Sequence, residues 1–202
     1  MPLSLSGTTG IVTGNIAASN ITTATIADNN VTTAKILNAN VTPAKLSQPM
    51  TLATAQSATG TSVDFTGIPS WVKRITVMYS TVSTNGSSPL VIRLGTSAGI
   101  ENTSYVGCTW RSNTLNAQFS SGFTIMPGSA SSSSISGVST ILSFGSSNKW
   151  NWSSVVGDIG GTNVAHGGGT KDLPGTLDRI RLTTEGGSDT LDFGGINIMY
   201  EG

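Results

Sequence analysis

The residues best equipped for chemistry lie in the second half of the chain. Gly95-Thr-Ser97-Ala-Gly99 has the G-x-S-x-G spacing of a nucleophilic serine, and His166-Gly-Gly-Gly169 has the spacing of an oxyanion-binding element. Ser97, Asp158 and His166 also follow one another in the order of an acyl-transfer triad. Such a serine needs a sharp strand-to-helix turn in a parallel α/β sheet, which lifts its hydroxyl clear of the sheet. Ile100-Glu-Asn-Thr-Ser-Tyr instead reads as a loop running into a strand. The glycine element falls downstream of the serine rather than upstream, and one histidine cannot serve both parts. Acyl transfer is not expected.

Other chemistries fare no better. A lone histidine does not make a zinc site, which takes three or four ligands. With Cys108 the only cysteine, neither an intrachain disulfide nor a multi-cysteine metal site is available. Cys108 lies in a strand-like run and reads as a small buried hydrophobe. Gly167-Gly-Gly-Thr-Lys171 lacks the spacing and following helix of a phosphate loop. Glycan cleavage needs two carboxylates converging on a cleft, and the acids Asp64, Glu101, Asp158, Asp172, Asp178, Glu185, Asp189, Asp192 and Glu201 show no singled-out pair. The chain is read as a non-enzyme without cofactor or metal.

Binding suits these residues better. Trp110-Arg111 closes one strand-like run, and Trp150-Asn-Trp152 puts two indoles on one face of another. An aromatic face beside short polar side chains suits a sugar ring. Large aromatics also dominate cores, and Trp71, Trp150 and Trp152 are expected there. The candidate ligand-binding residues are Trp110 and Arg111, with His166 and Lys171 from the glycine-rich stretch. Arg179 and Arg181 alternate outward from Ile180 and Leu182 and read as solvated or intersubunit.

These residues sit in a text of short strands. Ile75, Val77 and Tyr79 alternate with polar neighbours, as do Leu90, Ile92 and Leu94. Further strands are expected over 105–110, 118–126, 139–144, 150–156, 178–183 and 196–200. Turns fall at 84–86, 145–148 and 185–188, and Gly194-Gly195 suggests a bulge. The serine run 129–134 and the glycines 167–169 read as loops. No stretch of helical length has a 3.6 period. The expectation is an all-β, antiparallel, jelly-roll-like β-sandwich over 63–202, preceded by a linker at 51–62.

Composition narrows the partners. Charged residues make up 10% of the 202 and the formal net charge is zero, so no basic field draws nucleic acid or anionic lipid. No apolar run approaches a membrane span. The first residues carry no basic region or long apolar run, so a signal peptide is not expected.

The first quarter follows a different rule. In tens from Gly10 it reads GIVTGNIAAS, NITTATIADN, NVTTAKILNA, NVTPAKLSQP, with an aliphatic at every fifth position: Ile11, Ile16, Ile21, Ile26, Val31, Ile36, Val41 and Leu46. A period of five makes no stripe on a helix and alternates faces on a strand. Two structures keep such residues on one side: a single-chain coil, or a thin fibre in which several copies point them at a shared axis. Eight units give a four-sided coil only about two turns, short of the ~3 stacked repeats that solenoids need. The fibre, a homotrimer with these eight side chains at its axis, is preferred.

Runs such as NVTTAKILNANVTPAKL resemble the ten-residue shaft repeats of bacteriophage fibre proteins, in tail fibres and some head fibres. The resemblance covers about forty residues. It implies a virion location, a trimeric shaft over 10–50, and an attachment peptide at 1–9 held by a tail adaptor, a baseplate or the capsid. It also implies an outward C-terminal domain, and the preferred reading is a tail fibre whose C-terminal domain attaches non-covalently to a host-surface polysaccharide. The repeated His-x-His clamps of some phage fibre tips are lacking, so tip iron is not expected. The rivals are a capsid head fibre or decoration protein of structural role, a depolymerase, and a monomeric pentapeptide-type coil.

Overall fold

The computed structural model describes residues 31, 32, 36, 40–42, 45–112, 115–128, 130–145 and 147–202. The chain divides into two units, Met1–Leu46 and Ser47–Gly202. In the first, Ile11, Ile16, Ile21 and Ile26 of the expected axis lie outside the described residues. Val31, Ile36, Val41 and Leu46 are 39–54% exposed.

The second unit is all β. Its strands are β1 (Thr51–Leu52), β2 (Gln56–Ser57), β3 (Ser62–Thr66), β4 (Arg74–Thr84), β5 (Leu90–Thr96), β6 (Gly99–Ile100) and β7 (Tyr105–Arg111). There follow β8 (Leu115–Phe119), β9 (Phe123–Met126), β10 (Ile135–Ser143), β11 (Lys149–Asp158), β12 (Val164–Asp172), β13 (Arg179–Thr184) and β14 (Leu191–Glu201). A nine-stranded sheet runs β1-β14-β4-β10-β11-β12-β7-β8, with β2 also on β14; a five-stranded sheet runs β3-β13-β5-β6, with β9 also on β5. Every pairing is antiparallel, and the two sheets form a sandwich-like body.

The period-two pattern explains which faces meet. Ile75, Val77 and Tyr79 of β4, Ile141 of β10, Trp150, Trp152 and Val156 of β11, and Ile196 and Ile198 of β14 are buried against Leu90, Ile92, Leu94, Ile180 and Leu182 of the other sheet. Trp152 stacks on Phe123 at 5.1 Å and 5°, and Phe119 and Tyr105 meet Phe123 edge-on. Such aromatic pairs add about 0.5–1.5 kcal/mol each beyond area burial. A buried hydroxyl chain, Tyr79 Oη to Ser139 Oγ (3.0 Å) and Ser139 Oγ to Ser154 Oγ (2.8 Å), ties β4, β10 and β11 together.

Four expectations need correction. The stretch 51–62 carries β1 and β2, which pair with β14 at Thr51↔Tyr200 and Gly195↔Ser57, because extended Thr and Gln residues suit an open sheet edge. The single strand expected over 118–126 is two, β8 and β9, one on each sheet, parted at residues 120–122. The glycines 167–169 are mid-strand in β12, since a Cβ at Gly167 would stand 2.8 Å from the Trp152 ring and one at Gly169 2.8 Å from Phe119. Cys108 is exposed rather than buried, because Tyr105 and Thr109 of β7 point inward and the alternation sends residue 108 out.

The bulge at Gly194-Gly195 is present: the β14–β4 register shifts between Phe193 and Gly195. Opposite it Thr81 has a φ of 53°, and Gly194, at 88°, approaches so closely that a Cβ there would lie 2.3 Å from the Thr81 carbonyl.

Candidate ligand-binding surface

The outer face of the nine-stranded sheet carries a row that register fixes residue by residue. Asn197, Met78, Val138, Val155, His166 and Trp110 lie opposite one another across β14, β4, β10, β11, β12 and β7. Val138 and Trp110 are each 43% exposed and Val155 62%. The Trp110 and His166 rings lie 5.0 Å apart, tilted by 41°. Beside them is a shallow depression of about 370 Å³ lined by Val138, Thr140, Ser153, Val155, His166 and Gly167.

Arg111 borders this row but is committed elsewhere. Its Nη1 donates to the Pro127 carbonyl at 3.2 Å and to that of Gly128. With the Asn163 amide set by its hydrogen bonds, Nη2 also donates to Asn163 Oδ1 at 2.7 Å. Arg111 thus ties the 127–128 turn and the β11–β12 turn to the end of β7. It positions the rim and offers few donors to a ligand.

Lys171 is not brought to this surface. It is five residues along β12 from His166 and points inward, 3% exposed. Its Nζ donates to the Thr103 carbonyl at 2.9 Å, lies 3.8 Å from Glu101 and sits 5.2 Å over the Tyr105 ring. Trp150 and Trp152 are core, as expected, and Trp71 is partly buried and 6.0 Å from Tyr200. Arg181 grips Asp64 with two 2.7 Å hydrogen bonds, which raise its pKa.

The acyl-transfer residues are dispersed. Ser97 sits in the turn between β5 and β6 on the five-stranded sheet, where its carbonyl accepts from Arg179 at 3.3 Å. Asp158 ends β11 and accepts from Ser133 Oγ and Ser134 N, both at 3.0 Å. His166 is mid-strand against Trp110. Among the described residues no group of three or more His, Cys, Asp or Glu could hold a metal ion.

The row also has a place along the body. The chain enters this unit beside its last residues: Ala53 N donates to the Ile198 carbonyl, and a Cβ on Gly202 would lie 3.1 Å from Gln48. The rung nearest that entry is Glu201, Arg74, Leu142, Asn151, Thr170 and Val106. The Trp110 row lies four residues further along each strand, about 13 Å away at a strand's rise. Beyond it come the turns at 127–134 and 159–163.

Period-two reasoning anchored on inward Tyr105 would have placed Trp110 on the outer face. Val138 and Val155 were missed as surface residues because an exposed valine looks like any core valine until strand registers are known. The fold and this surface define an all-β sandwich with an exposed, weakly charged sheet face. Comparison with protein-family models, with curated proteins and with solved structures finds no match in any of the three.

Proposed function

We propose that this chain is a bacteriophage virion fibre, best fitting a tail fibre that holds a host-surface glycan non-covalently. In this reading residues 1–9 dock on a tail adaptor, a baseplate or the capsid. Residues 10–50 wind with two sister copies into a shaft, and the jelly-roll-like sandwich is the outward head. The observation that carries the proposal is the unbroken five-residue spacing of eight aliphatics ahead of an all-β body. Four of them are exposed on the single chain, and burying such residues against sister copies is favourable at about 25 cal/mol per Å².

Two further features support it. Strand connections pass repeatedly between the sheets, as at β4 to β5, β9 to β10 and β13 to β14, in keeping with a jelly-roll-like head. Trp110 and His166 lie toward the end away from the chain's entry, where a docked N-terminus leaves a head free to meet a surface. Three copies convert a weak site into firm attachment, because linked sites gain effective concentration without new contacts.

The test is placement and competition. Gold-labelled antibody to the sandwich should mark tail tips of intact virions, and purified protein should slow adsorption of the phage to its host. Labelling spread over the capsid, without competition, overturns receptor binding in favour of a structural head fibre. Shortening of host polysaccharide by the purified protein would make it a depolymerase.

A further inference from the structure

We infer that the Trp110 surface takes an uncharged glycan bearing a methyl group, an N-acetylhexosamine or a 6-deoxyhexose, in preference to an acidic one. This rests on the fibre reading and narrows its ligand.

Charge around the row decides the sign. Arg111, the nearest cation, spends its guanidinium on Pro127, Gly128 and Asn163. Lys171, the cation of β12, faces the interior and is held by the Thr103 carbonyl. Asp158 is buried under two hydrogen bonds from Ser133 and Ser134. Neither Arg111 nor Lys171 is free to meet a carboxylate on the ligand, which would shed water without that return, whereas a neutral ring has no charge to desolvate.

The apolar members set the second half. Val138, Val155 and Trp110 face outward in one row, with His166 packed on the indole. Thr140 and Ser153, paired across β10 and β11, supply hydroxyls on the next rung. A sugar's CH face laid on Trp110 leaves the hollow beside Val138 and Val155 for a methyl group. Burying one methyl is worth about a factor of four in affinity. Hydroxyls of the ring have Thr140 and Ser153 within the same hollow.

The experiment titrates the full chain, followed by tryptophan fluorescence and calorimetry. The probes are chitotetraose, a rhamnose tetrasaccharide, cellotetraose and tetragalacturonic acid. It is run at a single, mildly alkaline pH throughout. One of the two methyl-bearing probes should bind about fourfold or more tighter than cellotetraose, and tetragalacturonic acid no tighter than cellotetraose. The affinity should hold within about twofold while salt shortens the screening length severalfold.

Trp110→Ala should weaken binding about tenfold. Val155→Lys, at a 62% exposed position that tolerates the change, should do likewise. Tighter binding of the uronate, a gain of affinity in Val155→Lys, or no response to any neutral probe overturns the inference. The two readings fail separately. Uronate binding by a protein shown on tail tips sinks only this inference, and chitotetraose binding by a protein absent from virions sinks only the fibre.

Discussion

Gly167 lies directly against the indole of Trp152: a Cβ built on the glycine would stand 2.8 Å from the ring and 2.5 Å from Thr109 Oγ1. The glycine strand is therefore a cover for a large aromatic, with its side chains removed to let sheet and indole close. Gly168, the next residue, faces the other way, and its nearest neighbour is 3.7 Å off. Gly167→Val should cost about 1–3 kcal/mol through overpacking, while Gly168→Ser should stay within about 0.5 kcal/mol. Denaturant unfolding of the two variants checks the contrast; equal midpoints would remove the covering role.

Tyr79 and Tyr105 make the stability of the sandwich sensitive to alkali. Burial raises both phenol pKa values well above the ordinary 10.0, with the hydrogen bonds that Tyr79 shares with Ser139 and Tyr105 with the Leu94 backbone opposing only in part. The folded state then keeps protons that the unfolded chain releases, so stability is complete below the unfolded value and falls as pH climbs beyond it. Absorbance of phenolate near the alkaline transition should rise for these two rings together with unfolding, not before it. Their smooth ionisation in a still-folded protein would contradict the burial.

Tyr79→Phe isolates one of these groups. It removes the donor to Ser139 Oγ, but Ser139 keeps its partner Ser154 at 2.8 Å. The loss should be about 1 kcal/mol, the net worth of one hydrogen bond, rather than the larger cost of an orphaned polar atom. Chemical denaturation of Tyr79→Phe beside Ser139→Ala, which severs both links, orders the two; a milder Ser139→Ala would show that the chain of hydroxyls does not act as described.

Cys108 tests the facing of β7. The strand runs inward at Tyr105 and Thr109, so the thiol projects outward with Val106 and Trp110. A chromogenic disulfide reagent should titrate one thiol per chain in the native protein at close to the rate seen in denaturant. A thiol that reacts only after unfolding would mean that β7 is shifted by one residue, which would also bury Trp110.

The alternation that misplaces Cys108 when ignored is also what made most of the body readable. Ile75, Val77, Tyr79 and the pair Trp150 and Trp152 declare their inward faces by spacing two apart, and turns at Asn85, Ser147 and Gly187 punctuate them. Glycine hides the rest. In β12 the inward positions 167 and 169 carry no side chain because Trp152 and Phe119 fill the space, so the strand looks like a loop by composition. Pairing across strands far apart in sequence, which assembles Val138, Val155, His166 and Trp110 into one row, has no local signature. Lys171 looked like a loop cation and turned out to be an inward residue for the same reason: its strand was not visible. The zero net charge was visible, yet where each guanidinium spends its donors was not.

The shaft carries the last prediction. Ile21 and Val31 lie ten residues apart and, with a five-residue spacing, fall on the same side of any repeating shaft. In a shared-axis trimer, Ile21→Asp with Val31→Asp sets six carboxylates around one apolar line. Each buried unpaired charge costs several kcal/mol after relaxation, and each substitution also forfeits the roughly 1.5–3 kcal/mol that the aliphatic it replaces contributed. In a coil closed by one chain, the same pair disrupts folding but leaves the mass of a single copy unchanged. Light scattering should therefore find three copies for the parent and one for the double variant, with circular dichroism of the sandwich unaltered in both. A parent of single-chain mass, or a double variant that stays trimeric, removes the shared axis and with it the multivalent attachment that depends on three heads.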